Sequence, residues 1–124
     1  MIIQVVAGLY IALILGVVFF HVALIAGAPW GYLTQGGRHQ GRLPVRKRVV
    51  AGVSVAVLLC MGAAIASTAG LAPSVPTWVG WVTVGVQALS TLANWATPSA
   101  PERRLWAPIN TVMLAAALCV VMQA

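Results

Sequence analysis

Residues 2–28 read IIQVVAGLYIALILGVVFFHVALIAGA, with no lysine, arginine, aspartate or glutamate. A helix crossing a hydrocarbon core of about 30 Å needs about 20 mainly apolar residues. This stretch is longer than that and apolar on every side. A membrane β-strand would alternate with period two and end after about 10 residues. The stretch therefore predicts a spanning helix. Ala26-Gly27-Ala28 imitates a leader-cleavage site, but no basic residue precedes the apolar run and the run is too long for a leader.

Working outward, residues 49–71, Thr77–Ala96 and the shorter 107–123 read the same way. The expected fold is all-α: a four-transmembrane-helix bundle of two helical hairpins, with helices near 2–28, 49–71, 77–96 and 107–123. The chain forms a single membrane domain, 1–124, with loops 29–48 and 97–106. Pro29, Pro44, Pro73, Pro76, Pro98, Pro101 and Pro108 all fall outside the expected span interiors, Pro108 within the first turn of the last helix, where proline is tolerated. Residues 72–76 predict a tight connection between the second and third helices.

Composition agrees. The 124 residues are 61% hydrophobic and 6% charged, against about 25% charged in an average soluble domain. A soluble enzyme, a disordered tail and a disulfide mini-protein are excluded. Seven Lys plus Arg stand against one acidic residue, so catalysis by paired carboxylates is excluded too. Arg38, Arg42, Arg46, Lys47 and Arg48 fall in the first loop, and Arg103 and Arg104 in the third. Cytoplasmic loops retain Lys and Arg during insertion, so both basic loops are expected inside and both termini outside. Trp30, Trp95 and Trp106 at the inner boundary, and Trp78 and Trp81 at the outer one, suit headgroup anchoring.

Small residues let membrane helices approach closely. Gly62, Ala66 and Gly70 form a row expected to be a packing seam, and Gly8, Ala12 and Gly16 form another. Such faces also suit a homo-oligomer.

Polar groups inside a span need a reason. His21 lies about 10 Å above the expected inner end of the first helix. Thr83, Gln87, Thr91 and Asn94 share one face of the third, beside Ser90. Asn110 and Thr111 open the fourth. These residues either bond helices together or line a cavity open to the inner leaflet. The ligand-binding candidates are His21, Trp30, Gln87, Thr91, Asn94 and Asn110. Glu102, beside Arg103 and Arg104, is expected to form a structural ion pair with an arginine.

The first loop carries glycines at 27, 31, 36, 37 and 41. Glycine-rich turns can direct backbone N–H groups at an anion, and juxtamembrane cations attract anionic lipid. Arg38, Arg42, Arg46 and Arg103 are therefore candidates for an anionic headgroup. The Gly-Lys-Ser/Thr ending of a Walker loop is missing, no strand precedes the glycines as in a dinucleotide fingerprint, and nucleic acid is not an expected partner.

Ala26-Gly27-Ala28-Pro29-Trp30-Gly31, the following Gly36-Gly37-Arg38-His39-Gln40-Gly41-Arg42-Leu43-Pro44, and Glu102-Arg103 with Trp106 and Pro108 resemble a group of uncharacterised small four-helix integral membrane proteins from high-GC bacteria. The resemblance implies a four-helix bundle with a compact first loop in a bacterial cytoplasmic (inner) membrane. It implies no reaction, cofactor or site residue.

Cys60 and Cys119 are expected at different depths, too far apart for a disulfide. With His21 in a span and His39 in a loop, a bis-His haem is disfavoured, and no metal or other cofactor is expected. No buried acid suits proton coupling. Three functions compete. The first is a noncatalytic protein that binds a lipid or amphiphile, or supports a membrane complex, at its cytoplasmic face. The second is an oligomeric small-solute channel or transporter lined by the stripe on the third helix. The third is a membrane enzyme acting on a lipid-like substrate with His21 and Asn94.

Overall fold

The computed structural model describes residues 1–71 and 74–124, so Ala72 and Pro73 of the expected 72–76 connection lie outside the described residues. Four helices make up the fold: α1 (Ile2–Ile25), α2 (Val45–Thr68), α3 (Thr77–Ala96) and α4 (Ala100–Gln123). Two short 3-10 turns, Gly31–Leu33 and Gln35–Gly37, shape the loop between α1 and α2. Three of the helices, α1, α2 and α4, are long and apolar enough to cross a membrane. Helix α3 is shorter, and Thr83, Gln87, Ser90, Thr91 and Asn94 interrupt its apolar run.

The helices pair as two antiparallel hairpins. In the first, Gln4 Nε2 donates to Ala69 O at 3.1 Å near one end. A Cβ on Gly62 would sit 3.3 Å from Ile14 Cγ2 near the middle, and one on Gly52 would sit 3.9 Å from Ile25 at the other end. Gly62 is thus spent inside the chain, in the seam between α1 and α2, whereas Gly70 of the same expected row lies beyond the end of α2 with nothing within 4 Å of an added Cβ. Gly8 and Gly16 instead have nothing within 4 Å of an added Cβ. In the second hairpin, Trp95 reaches Thr111, and Gly80 lies against Val121. Helix α1 also packs on α4, which joins the hairpins.

The main core lies among α1, α2 and α4, around Tyr10, Ile14, Ile65, Met113 and Val120. A smaller core at the loop end gathers Phe20, Leu24, Leu43 and Ala51. Large apolar side chains cover the outside, Phe19 at 70% exposure among them, the surface that a lipid environment suits.

Four helix bounds differ from the sequence expectation, among them the end of α2 at Thr68 rather than at residue 71. Helix α1 ends at Ile25, and the chain turns at Gly27, φ +102°. Helix α2 starts at Val45, so Arg46, Lys47 and Arg48 form its first turn rather than loop. Helix α4 starts at Ala100, capped by Ser99 Oγ, which accepts from the Glu102 N–H at 3.3 Å. Pro101 falls in its first turn, where the missing N–H has no partner to lose. Pro108 consequently lies inside α4, not in its first turn.

Candidate functional site

The connection between α1 and α2 folds back on itself because Gly31 permits it. Gly31 N–H donates to Gly41 O at 2.8 Å. A Cβ at Gly31 would collide with the carbonyls of His39 and Gly41. Gly37, φ +68°, lies so close to α4 that a Cβ there would be 2.6 Å from Ser99 Oγ. The loop is thus pressed onto the start of α4. Ser99 Oγ donates to Tyr32 O at 3.0 Å, Trp106 Nε1 to Leu33 O at 2.9 Å, and the Gly36 N–H to Glu102 Oε2 at 3.3 Å.

That last contact corrects two expectations. The glycine-rich loop does direct a backbone N–H at an anion, but the anion is the chain's own Glu102. Glu102 in turn takes this N–H in place of the expected arginine, because helix α4 begins early enough to carry its side chain under the loop. The arginines lie elsewhere. Arg103 Nη1 donates to Thr97 O at 2.8 Å. Arg48 Nη1 is 3.5 Å from Ile25 O, one of the carbonyls that helix α1 leaves without an in-helix partner. Arg42 lies across Gly27. Arg38 and Arg46 are exposed.

Beneath the loop is a cavity of about 630 Å³, within the range of small-molecule sites. Helices α2 and α3 form its long walls. They meet at one end, where Gly80 faces Thr68 Oγ1 at 2.8 Å from an added Cβ. Towards the loop end they part, leaving a wedge between Val53–Met61 and Val86–Asn94. The lining is graded along its length. Val17, Val57, Leu58, Met61 and Val86 lie at the end away from the loop, with Asn110, whose amide is already bonded to Gln87 and to the Trp106 carbonyl, whereas His21, Asn94, Thr97, Glu102 and the Thr34-Gln35-Gly36 turn lie at the loop end beside Phe20 and Trp106.

Of the expected ligand-binding residues, the cavity brings together His21, Asn94 and Asn110. Trp30, Gln87 and Thr91 are not part of its lining. Trp30 stacks on Phe20, centroids 5.9 Å apart, as a structural member of the loop. Trp106, also expected as a boundary anchor, packs edge-on against the same ring at 4.7 Å. Trp78, Trp81 and Trp95 are exposed. Gln87 is 1% exposed. It accepts from Tyr10 OH at 2.9 Å and donates to Asn110 Oδ1 at 2.8 Å. Thr91 Oγ1 is shared between the carbonyls of Gln87 and Asn110. In the polar stripe of α3, Gln87 and Thr91 thus bond α4 within one chain, while Thr83 and Asn94 bond carbonyls of α3 itself. Only its last member, Asn94, with neighbouring Ser90, reaches the cavity.

The headgroup candidates Arg38, Arg42, Arg46 and Arg103 are likewise absent from the cavity lining, which contains no arginine or lysine among the described residues. The sequence reading missed Glu102 and Trp106 as lining residues. The signal was the Ser99-Ala100-Pro101-Glu102 pattern, a Ser-x-x-Glu helix start, which carries both residues onto the same helix.

Chemically, the site offers one base and one acid. His21 Nδ1 is 2.9 Å from Val17 O. A carbonyl only accepts, so Nδ1 carries the proton and Nε2 of a neutral ring is left as an acceptor. Asn94 Nδ2 donates one N–H to Ser90 O at 2.8 Å, leaving its second N–H and its carbonyl oxygen. Cys60 and Cys119 are both free and outside the lining. No protein-family model, curated protein or solved structure matches the chain.

Proposed function

We propose that this chain is a membrane protein that holds a lipid-like amphiphile in the wedge between α2 and α3. The carrying observation is the graded lining: apolar side chains deep in the wedge and hydrogen-bonding groups at its mouth, the arrangement that suits a tail and a headgroup. The wedge lies between two helices rather than at the bundle axis, so a tail can enter sideways from a leaflet. In this reading all four helices span, α3 among them, because its polar side chains Thr83, Gln87 and Thr91 are buried against neighbours. The basic end, with the loop and the cavity mouth, faces the cytoplasm, and both termini lie outside a bacterial inner membrane. The exposed cations Arg38, Arg42 and Arg46 rest on anionic headgroups of the surrounding leaflet. Self-association, where it occurs, uses the open Gly8-Ala12-Gly16 face.

Filling the wedge tests the reading. Val57 is 44% exposed and lines the cavity, so Val57→Trp adds bulk without entering the core. Native mass spectrometry of the wild-type chain from nanodiscs of an uncharged glycosyldiacylglycerol should give one adduct with monotetradecanoylglycerol. The Val57→Trp chain should lose it. Equal retention by both would overturn the reading.

The second reading is an enzyme acting on such an amphiphile, favoured by the acceptor Nε2 of His21 at the cavity mouth. It requires fatty acid to appear from the same monoacylglycerol, and to cease with His21→Ala. The pore reading has the least support, since Gln87 and Thr91 are buried and hydrogen-bonded inside one chain.

A further inference from the structure

The amphiphile reading leaves the headgroup open, and the loop's cations direct attention to anionic lipid. The charges of the cavity itself have the opposite sign. Its lining holds no arginine or lysine among the described residues, and it holds the only carboxylate in the sequence, Glu102.

Glu102 is 6% exposed, and its role as a helix-start residue does not use its side chain. In a complete Ser-x-x-Glu capping box the glutamate reaches back to the N–H of the capping residue. Here the Ser99 N–H is taken by Thr97 Oγ1 at 3.3 Å. The Glu102 carboxylate turns away to the Gly36 N–H, a single 3.3 Å bond to Oε2. Among the described residues Oε1 has no hydrogen bond, it is not among the fully enclosed atoms, and Glu102 is one of the residues that line the cavity. A buried carboxylate is normally compensated by a cation or by several donors. This one has one N–H. The cation near it, Arg103, directs its Nη1 to the Thr97 carbonyl.

The adjoining wall supplies aromatic rings. Phe20 and Trp106 both line the cavity; Phe20 is packed between Trp30 and Trp106, so Trp106 is the ring left to meet a ligand. Aromatic rings together with a carboxylate are the surroundings in which alkylated ammonium groups are bound. We propose that the cavity selects an amphiphile with a cationic amine or quaternary ammonium headgroup, paired with Glu102 at the mouth of the wedge while its tail follows Val57, Leu58 and Met61 inward. The proposal rests on the amphiphile reading. In it the exposed cations Arg38, Arg42 and Arg46 serve the bilayer surface, and the one carboxylate of the cavity serves the ligand.

The test uses the full-length chain in the same uncharged nanodiscs, with three ligands of equal tail length: tetradecyltrimethylammonium, monotetradecanoylglycerol and tetradecyl phosphate. Native mass spectrometry should rank the cation tightest and the phosphate weakest. Glu102→Gln keeps the side-chain size and an oxygen for Gly36. It should weaken the cation about tenfold and the monoacylglycerol by a clearly smaller factor, while Glu102→Asp restores part of the loss for the cation. The triple Arg38→Ala, Arg42→Ala, Arg46→Ala variant should bind the cation as the wild type does. Phosphate binding tightest, equal affinity for all three, or no effect of Glu102→Gln would overturn the proposal. If Glu102→Gln does not fold, the wild-type ranking alone decides. Monoacylglycerol bound and lost with Val57→Trp, but with no preference for the cation, would leave the amphiphile reading standing and remove this one. No binding of any ligand would remove both.

Discussion

At the scale of single residues, Gln87 shows how the bundle tolerates polar groups. Both ends of its amide are occupied, by Tyr10 on one side and Asn110 on the other, so three helices share one chain of hydrogen bonds. Tyr10 and Gln87 are both essentially unexposed, and removing one partner strands the other. Interhelical bonds of this kind contribute about 0.6 kcal/mol on average and up to about 1.7. Tyr10→Phe should therefore lower unfolding free energy in mixed micelles by an amount in that range. Gln87→Leu should cost more than Tyr10→Phe, because it strands the Tyr10 hydroxyl and Asn110 Oδ1 together. The reverse order in a denaturant titration would show that the network is not continuous.

At the scale of elements, the loop and the start of α4 form one unit. Gly31 and Gly37 permit backbone approaches that a Cβ would block, and Ser99 serves both sides, capping Glu102 N–H and donating to Tyr32 O. Ser99→Ala should cost about 1 kcal/mol as a lost cap, and should also free the loop. Hydrogen exchange ought to accelerate at the Leu33, Thr34 and Gly37 amides as well as in the first turn of α4. Acceleration in α4 alone would mean that the loop holds without it. This unit also marks the limit of what the sequence makes legible. Four helices and their pairing could be read from apolar runs, because membrane spans are specified by length and composition. The start of α4 could not be read that way. Residues 100–106 include Glu102, Arg103 and Arg104, and a hydropathy argument ends the helix where the charges begin. The capping pattern at Ser99 was the local signal. On α3, spacing placed Thr83, Gln87, Thr91 and Asn94 on one face, but a shared face does not say whether it meets a neighbour or a cavity. Packing divided it, with Gln87 and Thr91 inward and Asn94 at the wedge. The occupant of the glycine-rich loop was legible only in its chemistry: an anion was foreseen, but not that Glu102 would be folded beneath it from a distant part of the chain.

At the scale of the whole molecule, all seven cations collect at one end of the bundle. Arg46, Lys47 and Arg48 form the first turn of α2, and Arg103 and Arg104 the first turns of α4. Cations at a helix amino terminus oppose the helix dipole by about 0.3–1 kcal/mol each where exposed. Local helix stability therefore does not explain their placement, although Arg48 and Arg103 each reach a backbone carbonyl, Ile25 O and Thr97 O. In the proposed orientation, retention of basic segments on the cytoplasmic side during insertion accounts for it, and the proposal assigns the cavity mouth to the inner leaflet on that ground. The assignment is decided by reporters. An alkaline-phosphatase-type reporter fused after Ala124 should be active, and the same reporter fused after His39 should be silent. The opposite pattern would place the loop, Glu102 and the cavity mouth on the outer face, so that the wedge would draw its ligand from the outer leaflet. Substituting Arg38, Arg42, Arg46, Lys47 and Arg48 together by Gln should convert the single orientation into a mixture, since Arg103 and Arg104 alone would then hold the basic end inside. A mixture, seen as partial activity of both fusions, would tie the orientation to these side chains rather than to the order of the helices.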